Sequence, residues 1–209
     1  VKILILTHQL PYPANTPRKI RTYNYIKDMI PGNRVTVLSR YDRSYDNTEA
    51  SDHFTQMGCH PVFCNEPVVK TAWGKVVQDL LASLFSPYPY SVNSCISQRM
   101  LARFLKVYEQ GKFDKIVCDG IHQTIHVPQK LFCYKILLEH AVSSPEARTV
   151  LAGKNPAAKL FTLLEWKKFK KLEDLMWRHY DEIHVYAADE KKQIEARTGH
   201  KNVRVIACA

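Results

Sequence analysis

Three clusters of polar side chains stand directly after short apolar runs in this sequence. The first, after Lys2–Leu6, carries His8, Asn15, Thr16 and Arg18. The second, after Lys115–Cys118, is Asp119-Gly120-Ile121-His122. The third follows Tyr134–Leu138 and holds Glu139, His140 and Ser143. In an open parallel sheet, ligands bind beyond the carboxyl ends of the strands, where loops and helix N-termini present free N–H groups. Three such clusters at one sheet edge make a floor for a polyhydroxylated ligand. Each residue also has a plain structural reading. His8 can cap a strand end, Asp119-Gly120 can be a turn, and Glu139-His140 can be an ion pair. His122 and His126 are four apart, a spacing that binds metal on a helix, but Pro128 follows and no HExxH-type carboxylate accompanies them, so no metal site is expected. The chain contains no GxGxxG and no Walker A sequence, which argues against dinucleotide or ATP sites of those kinds.

What must position these clusters is an alternation of strands and helices. Lys2–Leu6 is a continuous apolar run, as in a strand covered on both faces. The loop after it contains Pro11, Pro13 and Pro17, and Asn15 or Thr16 is placed to cap a helix with Pro17 in its first turn. Ile20, Tyr23, Ile26 and Ile30 give that helix its apolar spacing, and Pro31-Gly32-Asn33 ends it. A second strand, Arg34–Ser39, completes a β-loop-α-β unit of the kind that closes right-handed. A polar stretch, Arg40–Ala50, precedes a short helix over Ser51–Met57 and a strand at Pro61–Cys64.

Residues 67–86 suit a helix that breaks at Ser86-Pro87-Tyr88-Pro89-Tyr90, and another spans about 94–110. After the strands Lys115–Cys118 and Tyr134–Leu138, Ser144-Pro145-Glu146 opens a helix that Gly153-Lys154-Asn155-Pro156 breaks. A long basic helix at about 157–180, a strand Glu182–Tyr186, a helix Asp189–Arg197 and a strand Val203–Ile206 close the chain. The pattern predicts an α/β class: a Rossmann-like, doubly wound, mostly parallel sheet with helices on both faces.

With 209 residues, 45% of them hydrophobic, the chain has material for one large domain with a single core. Its net charge of +10 implies an anionic partner: a nucleotide, a nucleic acid or an acidic membrane surface. No nucleic-acid-binding motif accompanies the charge, so no nucleic-acid partner is expected. Six cysteines form no CxxC pair, which fits free thiols in a reducing, cytoplasmic compartment. The opening apolar run is too short, and too soon interrupted by His8, to be a signal peptide, and no stretch approaches the length of a membrane span. The helix at 157–180 sets Lys159, Lys167, Lys168, Lys170, Lys171 and Arg178 among Leu160, Phe161, Leu164, Trp166 and Phe169. Such a helix can pack its apolar face on the sheet with its lysines solvated, or lie on an anionic membrane surface.

The opening KILILTHQLPYPANTPRKIRTYNYIKDM, then PYPYSV at 87–92, FDKIVCDGIH at 113–122, LLEH at 137–140, LEWKKFKKLED at 164–174 and DEIHVYAADEKKQIEARTGHKNVRVI at 181–206 occur in register. Together they resemble the N-terminal, acceptor-side domain of family-four-like GT-B glycosyltransferases of bacterial cell-surface polysaccharide synthesis. The resemblance spans nearly the whole chain. It implies one Rossmann-like domain over 1–209, half of a GT-B fold, with the C-terminal donor-binding domain absent from these residues. It further implies retaining transfer, without metal or other cofactor, from a nucleotide-sugar to a lipid-linked or cell-surface polysaccharide acceptor, in the cytoplasm and in peripheral contact with the inner face of the membrane. By position it makes His122 and Asp119 catalytic, and sets Asn15, Thr16, Arg18 and Gly120 near the donor phosphates. His8, Tyr88, Tyr90, Glu139 and His140 would line the acceptor side or the cleft.

Two departures bear on activity. Pro17-Arg18 stands where the family carries a Gly-Gly pair, and proline supplies no N–H for a phosphate. The sequence ends at Ala209, where the family continues into a second Rossmann domain. The isolated chain is therefore expected to be inactive without a C-terminal domain or separate subunit. The alternative is a non-catalytic glycan-, membrane- or partner-binding module derived from such an enzyme.

Overall fold

The first strand does not stop at Leu6. In the computed structural model, which describes residues 1–41, 47–67, 81–142 and 155–207, β1 (Lys2–Gln9) continues through Thr7 and His8. Its residues Ile3–Thr7 are buried, so an apolar run covered on both faces is what the fold required. The cap of α1 (Pro17–Met29) is Thr16, whose Oγ1 accepts from the Lys19 N–H at 3.3 Å. β2 (Arg34–Tyr41), α2 (Asn47–Gln56) and β3 (Cys59–Pro67) follow. β3 runs past Pro61–Cys64 at both ends, because it pairs with β2 from Val35 to Tyr41.

Further along come a four-residue turn α3 (Tyr90–Asn93), α4 (Gln98–Gly111), β4 (Lys115–Asp119) and a 3-10 segment, Ile121–His126. The chain then forms β5 (Tyr134–Leu138), α5 (Pro156–His179), β6 (Glu182–Val185), α6 (Ala188–Thr198) and β7 (Val203–Val205). Of the helix expected over 67–86, residues 81–85 are helical and 68–80 lie outside the described residues. Ser143 and the helix expected at Ser144-Pro145-Glu146 also lie outside them.

The sheet order is β3-β2-β1-β4-β5-β6-β7, and every pairing is parallel. The order reverses between β1 and β4, which opens a crevice at their carboxyl ends. Right-handed crossovers decide which face each helix covers. On one face Tyr25 and Ile26 of α1 and Phe54 of α2 pack on Ile3, Ile5, Val35 and Val37. On the other, Phe104 of α4, Trp177 of α5 and Ile194 of α6 pack on Leu4, Leu6, Ile116 and Ile183. Cys59, Cys64 and Cys118 are buried free thiols within these layers.

α5 has 24 residues, about 36 Å at 1.5 Å per residue. The strands beneath it have five and four residues, roughly 15 Å at about 3.3 Å each. Only its second half can lie on the sheet, and there Leu172, Met176 and Trp177 are buried. The first half reaches past the carboxyl edge and leaves Leu160 and Leu164 exposed. Among the described residues no helix is long and apolar enough to cross a membrane.

Arg197 fastens α6 to α5. Its guanidinium pairs with Glu173 and Asp174, each at 2.8 Å, and lies 4.3 Å from the Trp177 ring centroid. Glu173 is fully buried, so removing its cation strands a charge in the core. Arg197→Leu is expected to lower the unfolding free energy by about 3 kcal/mol, measured by urea denaturation; a loss under about 0.5 kcal/mol, typical of a surface change, would contradict the clamp.

Candidate functional site

The crevice between β1 and β4 is organised around Asp119, which is 3% exposed. Its Oδ2 accepts from Thr7 Oγ1 at 2.6 Å, and its Oδ1 accepts from Thr22 Oγ1 at 3.0 Å and from His140 Nε2 at 2.5 Å. One carboxylate thereby joins the ends of β1, β4 and β5 to the second turn of α1. Burial acts to raise its pKa, but the hydrogen bond and charge of His140, the Arg18 charge and the Thr7 hydroxyl outweigh it and hold the group near about 2. Asp119 is ionised and fully engaged at neutral pH.

Gly120 follows with φ 83° and ψ 159°, a region closed to side chains. A Cβ there would stand 2.9 Å from Arg18 Nη2. Arg18 Nη2 donates to the Asp119 carbonyl at 3.2 Å, and the Gly120 N–H donates to the Leu138 carbonyl at 2.8 Å. Asp119-Gly120 is thus a turn, and a turn that seats a guanidinium. The His140 ring stacks on Tyr186 with centroids 5.8 Å apart, Arg21 covers the same Tyr186 ring at 4.9 Å, and Arg21 Nη1 donates to the His140 carbonyl at 3.4 Å.

A cavity of about 130 Å³ opens over this hub, lined by Thr7, His8, Gln9, Arg18, Lys19 and Asp119 among others. Two cations and one committed carboxylate leave a positive balance suited to an anion. Backbone amides contribute little here. Pro17 has no N–H and the Lys19 N–H is taken by Thr16, so two of the first three helical positions offer no free amide. Side-chain charge stands where helix-terminus amides would ordinarily act.

His122 is half-buried and is not among the residues that line this cavity; its ring is 5.9 Å from that of Phe169 on α5. Burial, with Arg18 and His8 adding repulsion, holds its imidazole down to about 4, so it is neutral at pH 7. His126 does not share its surroundings. In a 3-10 segment four residues turn about 480°, which leaves the two rings roughly a third of a turn apart, and His126 is buried beside Arg40 and Cys95. Among the described residues no group of three or more His, Cys, Asp or Glu is arranged to hold a metal.

Glu139 is turned into the α5 layer rather than paired with His140's ring. Trp177 Nε1 donates to its Oε2 and the His140 N–H to its Oε1, both at 3.3 Å. Burial, with repulsion from Glu173, pushes its carboxyl up to about 8. Tyr88 packs against the α4–α5 core, and the Tyr90 N–H bonds Glu165 of α5, so both belong to that wall. Asn15 is exposed and Thr16 is the helix cap. Sequence reasoning missed Thr7, Lys19, Arg21, Thr22 and Tyr186. Only the spacing of Arg18 and Thr22, one turn apart, could have pointed to any of them.

A larger cavity, about 480 Å³, lies at the opposite edge among Lys2, Arg34, Cys59, His60 and Phe113. It sits at the amino ends of the strands and holds none of the clustered acids and histidines. The carboxyl edge is where a doubly wound sheet presents its helix N-termini and strand-end side chains.

No protein-family model and no curated protein matches the sequence. Solved structures do match in fold. Sucrose-phosphate synthase from Thermosynechococcus elongatus has a TM-score of 0.60 at 12% identity, over 99% of this chain and 47% of that one. UDP-glucose:anthocyanidin 3-O-glucosyltransferase in complex with UDP gives 0.53 at 10% identity, over 100% and 52%. Arabidopsis thaliana UGT89C1 complexed with UDP-L-rhamnose gives 0.53 at 11%, over 99% and 51%. The chain spans about half the length of the structures it matches. Its fold is that of one Rossmann-like domain of a GT-B glycosyltransferase.

Two pH responses follow. The depressed pKa of Asp119, from 3.8 to about 2, contributes roughly 2 kcal/mol of stability above pH 4, lost as pH falls from about 4 to about 2. Asp119→Asn is expected to melt lower at pH 7 and to lack that acid step in thermal unfolding. Glu139 has the opposite sign: its contribution is full below about 4.5 and disappears as pH rises through about 8. Glu139→Gln is expected to gain on the parent above pH 8, and equal melting temperatures at pH 9 would contradict a buried protonated carboxyl.

Proposed function

We propose that this chain is the acceptor-side domain of a glycosyltransferase that moves a sugar from a nucleotide-sugar to a lipid-linked or cell-surface polysaccharide acceptor. It works with a C-terminal donor-binding domain or separate subunit, in the cytoplasm with peripheral contact at the inner membrane face. The observation that best supports the reading is the cavity that His8, Arg18 and Lys19 line over Asp119 at the switch point of a half GT-B fold, with a neutral His122 within the electrostatic reach of Arg18 and His8.

In this reading Arg18 and Lys19 offset the charge of a departing nucleoside diphosphate, the part a metal ion plays elsewhere. Neutral His122 donates and accepts hydrogen bonds with hydroxyls of the transferred sugar. Asp119 does not touch the sugar. It is a positioning residue, holding His140 and the Arg18-bearing turn, and the catalytic contact falls to His122. Retention of configuration without a metal or cofactor is part of the proposal. The spent amides at the start of α1 favour a second reading, a binding module with no turnover.

Turnover separates the two. In the chain joined to its donor-binding domain, His122→Ala is expected to lower kcat roughly a hundredfold while nucleotide-sugar affinity changes by less than about threefold. Absence of turnover in the joined parent supports the binding module, and unchanged kcat in the variant removes His122 from the chemistry.

A further inference from the structure

The cavity of about 480 Å³ at the amino edge has no part in the proposed transfer, yet cations line it. Lys2 opens β1 and Arg34 opens β2, and the two are register partners in the parallel pairing. Thr36 and His60 are partners one strand further across the sheet. Alternation along the strands sets all four on the face that α4 covers, the face of Leu4, Leu38 and Val62. Gly111, which ends α4, and Phe113 beyond it close the cavity from that side. A Cβ on Gly111 would stand 2.1 Å from the Phe113 ring, so close packing fixes this aromatic wall.

The arrangement is unfavourable for folding alone. Neighbouring strands run about 4.8 Å apart, and like charges on facing positions repel. Lys2 Nζ donates to the Gly111 carbonyl at 3.1 Å, which engages one of its three N–H groups. The Arg34 guanidinium lines the cavity and has no hydrogen bond or ion pair among the described residues. No Asp or Glu is among the described residues of the lining. Asp114 stands close by, but its carboxylate accepts from the Lys2 main-chain N–H at 2.7 Å and it does not line the cavity. Two adjacent cations with a hydroxyl and an imidazole beside them match a dianion. A phosphomonoester carries about two negative charges at neutral pH and three acceptor oxygens. The remaining space accommodates a sugar or nucleoside body against Phe113.

We infer that this cavity binds a phosphomonoester of sugar-phosphate or mononucleotide size, with Arg34 and Lys2 on the phosphate, as a second ligand site separate from the carboxyl-edge crevice. The two sites lie at opposite ends of β1, roughly 23 Å apart at about 3.3 Å per residue. A nucleotide-sugar has no phosphomonoester, because each of its phosphates is linked on two sides, so this cavity is not a donor site. The inference is independent of the glycosyltransferase reading.

The test is a calorimetric titration of the chain with adenosine monophosphate and ribose 5-phosphate, joined to amide spectra of the labelled protein. Adenosine and malonate are the other arms. The phosphomonoesters are expected to bind roughly tenfold or more tightly than adenosine or malonate. They are expected to shift Arg34, His60 and Gly111 while leaving Arg18 and Gly120 in place. The tighter of the two identifies the body as nucleoside or free sugar. Arg34→Gln, at an exposed position, is expected to weaken both roughly tenfold. Arg34→Lys, which keeps the charge, is expected to stay within about threefold of the parent. Circular dichroism checks that each variant is folded. Malonate binding as tight as that of the phosphomonoesters, equal binding by folded Arg34→Gln, shifts centred on Arg18 and Gly120, or no binding of either phosphomonoester overturns the inference. UDP-glucose binding at the carboxyl edge is read separately, so either assignment can fail while the other stands.

Discussion

One buried carboxylate sets the geometry of the carboxyl edge. Asp119 receives hydrogen bonds from β1, α1 and the end of β5 at once, and its charge persists because every lone pair in use faces a donor. A group of this kind is costly to bury without partners and strongly positioning with them. The Gly120 turn, the seat of Arg18 and the orientation of the His140 ring on Tyr186 all follow from that anchor. The cavity above it is positive because Asp119 is already committed, while Arg18 and Lys19 line the opening.

The neighbouring carboxyl answers to the same physics with the opposite result. Glu139, next to the anchor's histidine in sequence, faces the apolar α5 layer and the charge of Glu173, and burial outweighs the donors it receives. Two acids at the ends of neighbouring strands thus come to rest in different protonation states at neutral pH. His122 completes the pattern as a histidine kept neutral by burial and nearby cations. Ionised hub, protonated core acid and neutral imidazole divide structural and chemical roles along one sheet edge.

Much of the fold was legible because parallel-strand burial leaves continuous apolar runs, as in Lys2–Leu6 and Tyr134–Leu138. Edges of elements were not, since β1 passes through a register irregularity at Thr7 and His8 to reach a pairing of Gln9 with Arg40, which no local pattern encodes. The clusters after β1, β4 and β5 were visible as residue types, and the sheet order brought them together. Which side chain does what was hidden. Glu139 and His140 are adjacent in sequence, yet one enters the core and the other the crevice, a split set by α5 packing that no local spacing encodes. Thr7 and Thr22 are ordinary residues whose importance exists only through Asp119, 112 and 97 positions away. The length of α5 was read from sequence, but its overhang needed the strand lengths beside it.

The most direct test of the account is where a nucleotide-sugar touches the folded chain. In two-dimensional amide spectra of the isotope-labelled protein titrated with UDP-glucose, shifts centred on Arg18, Gly120 and His140 at the carboxyl edge are expected, even where affinity is weak. Shifts confined to Lys2, Arg34, Cys59 and His60 around the opposite cavity, or none at saturating ligand, would contradict it.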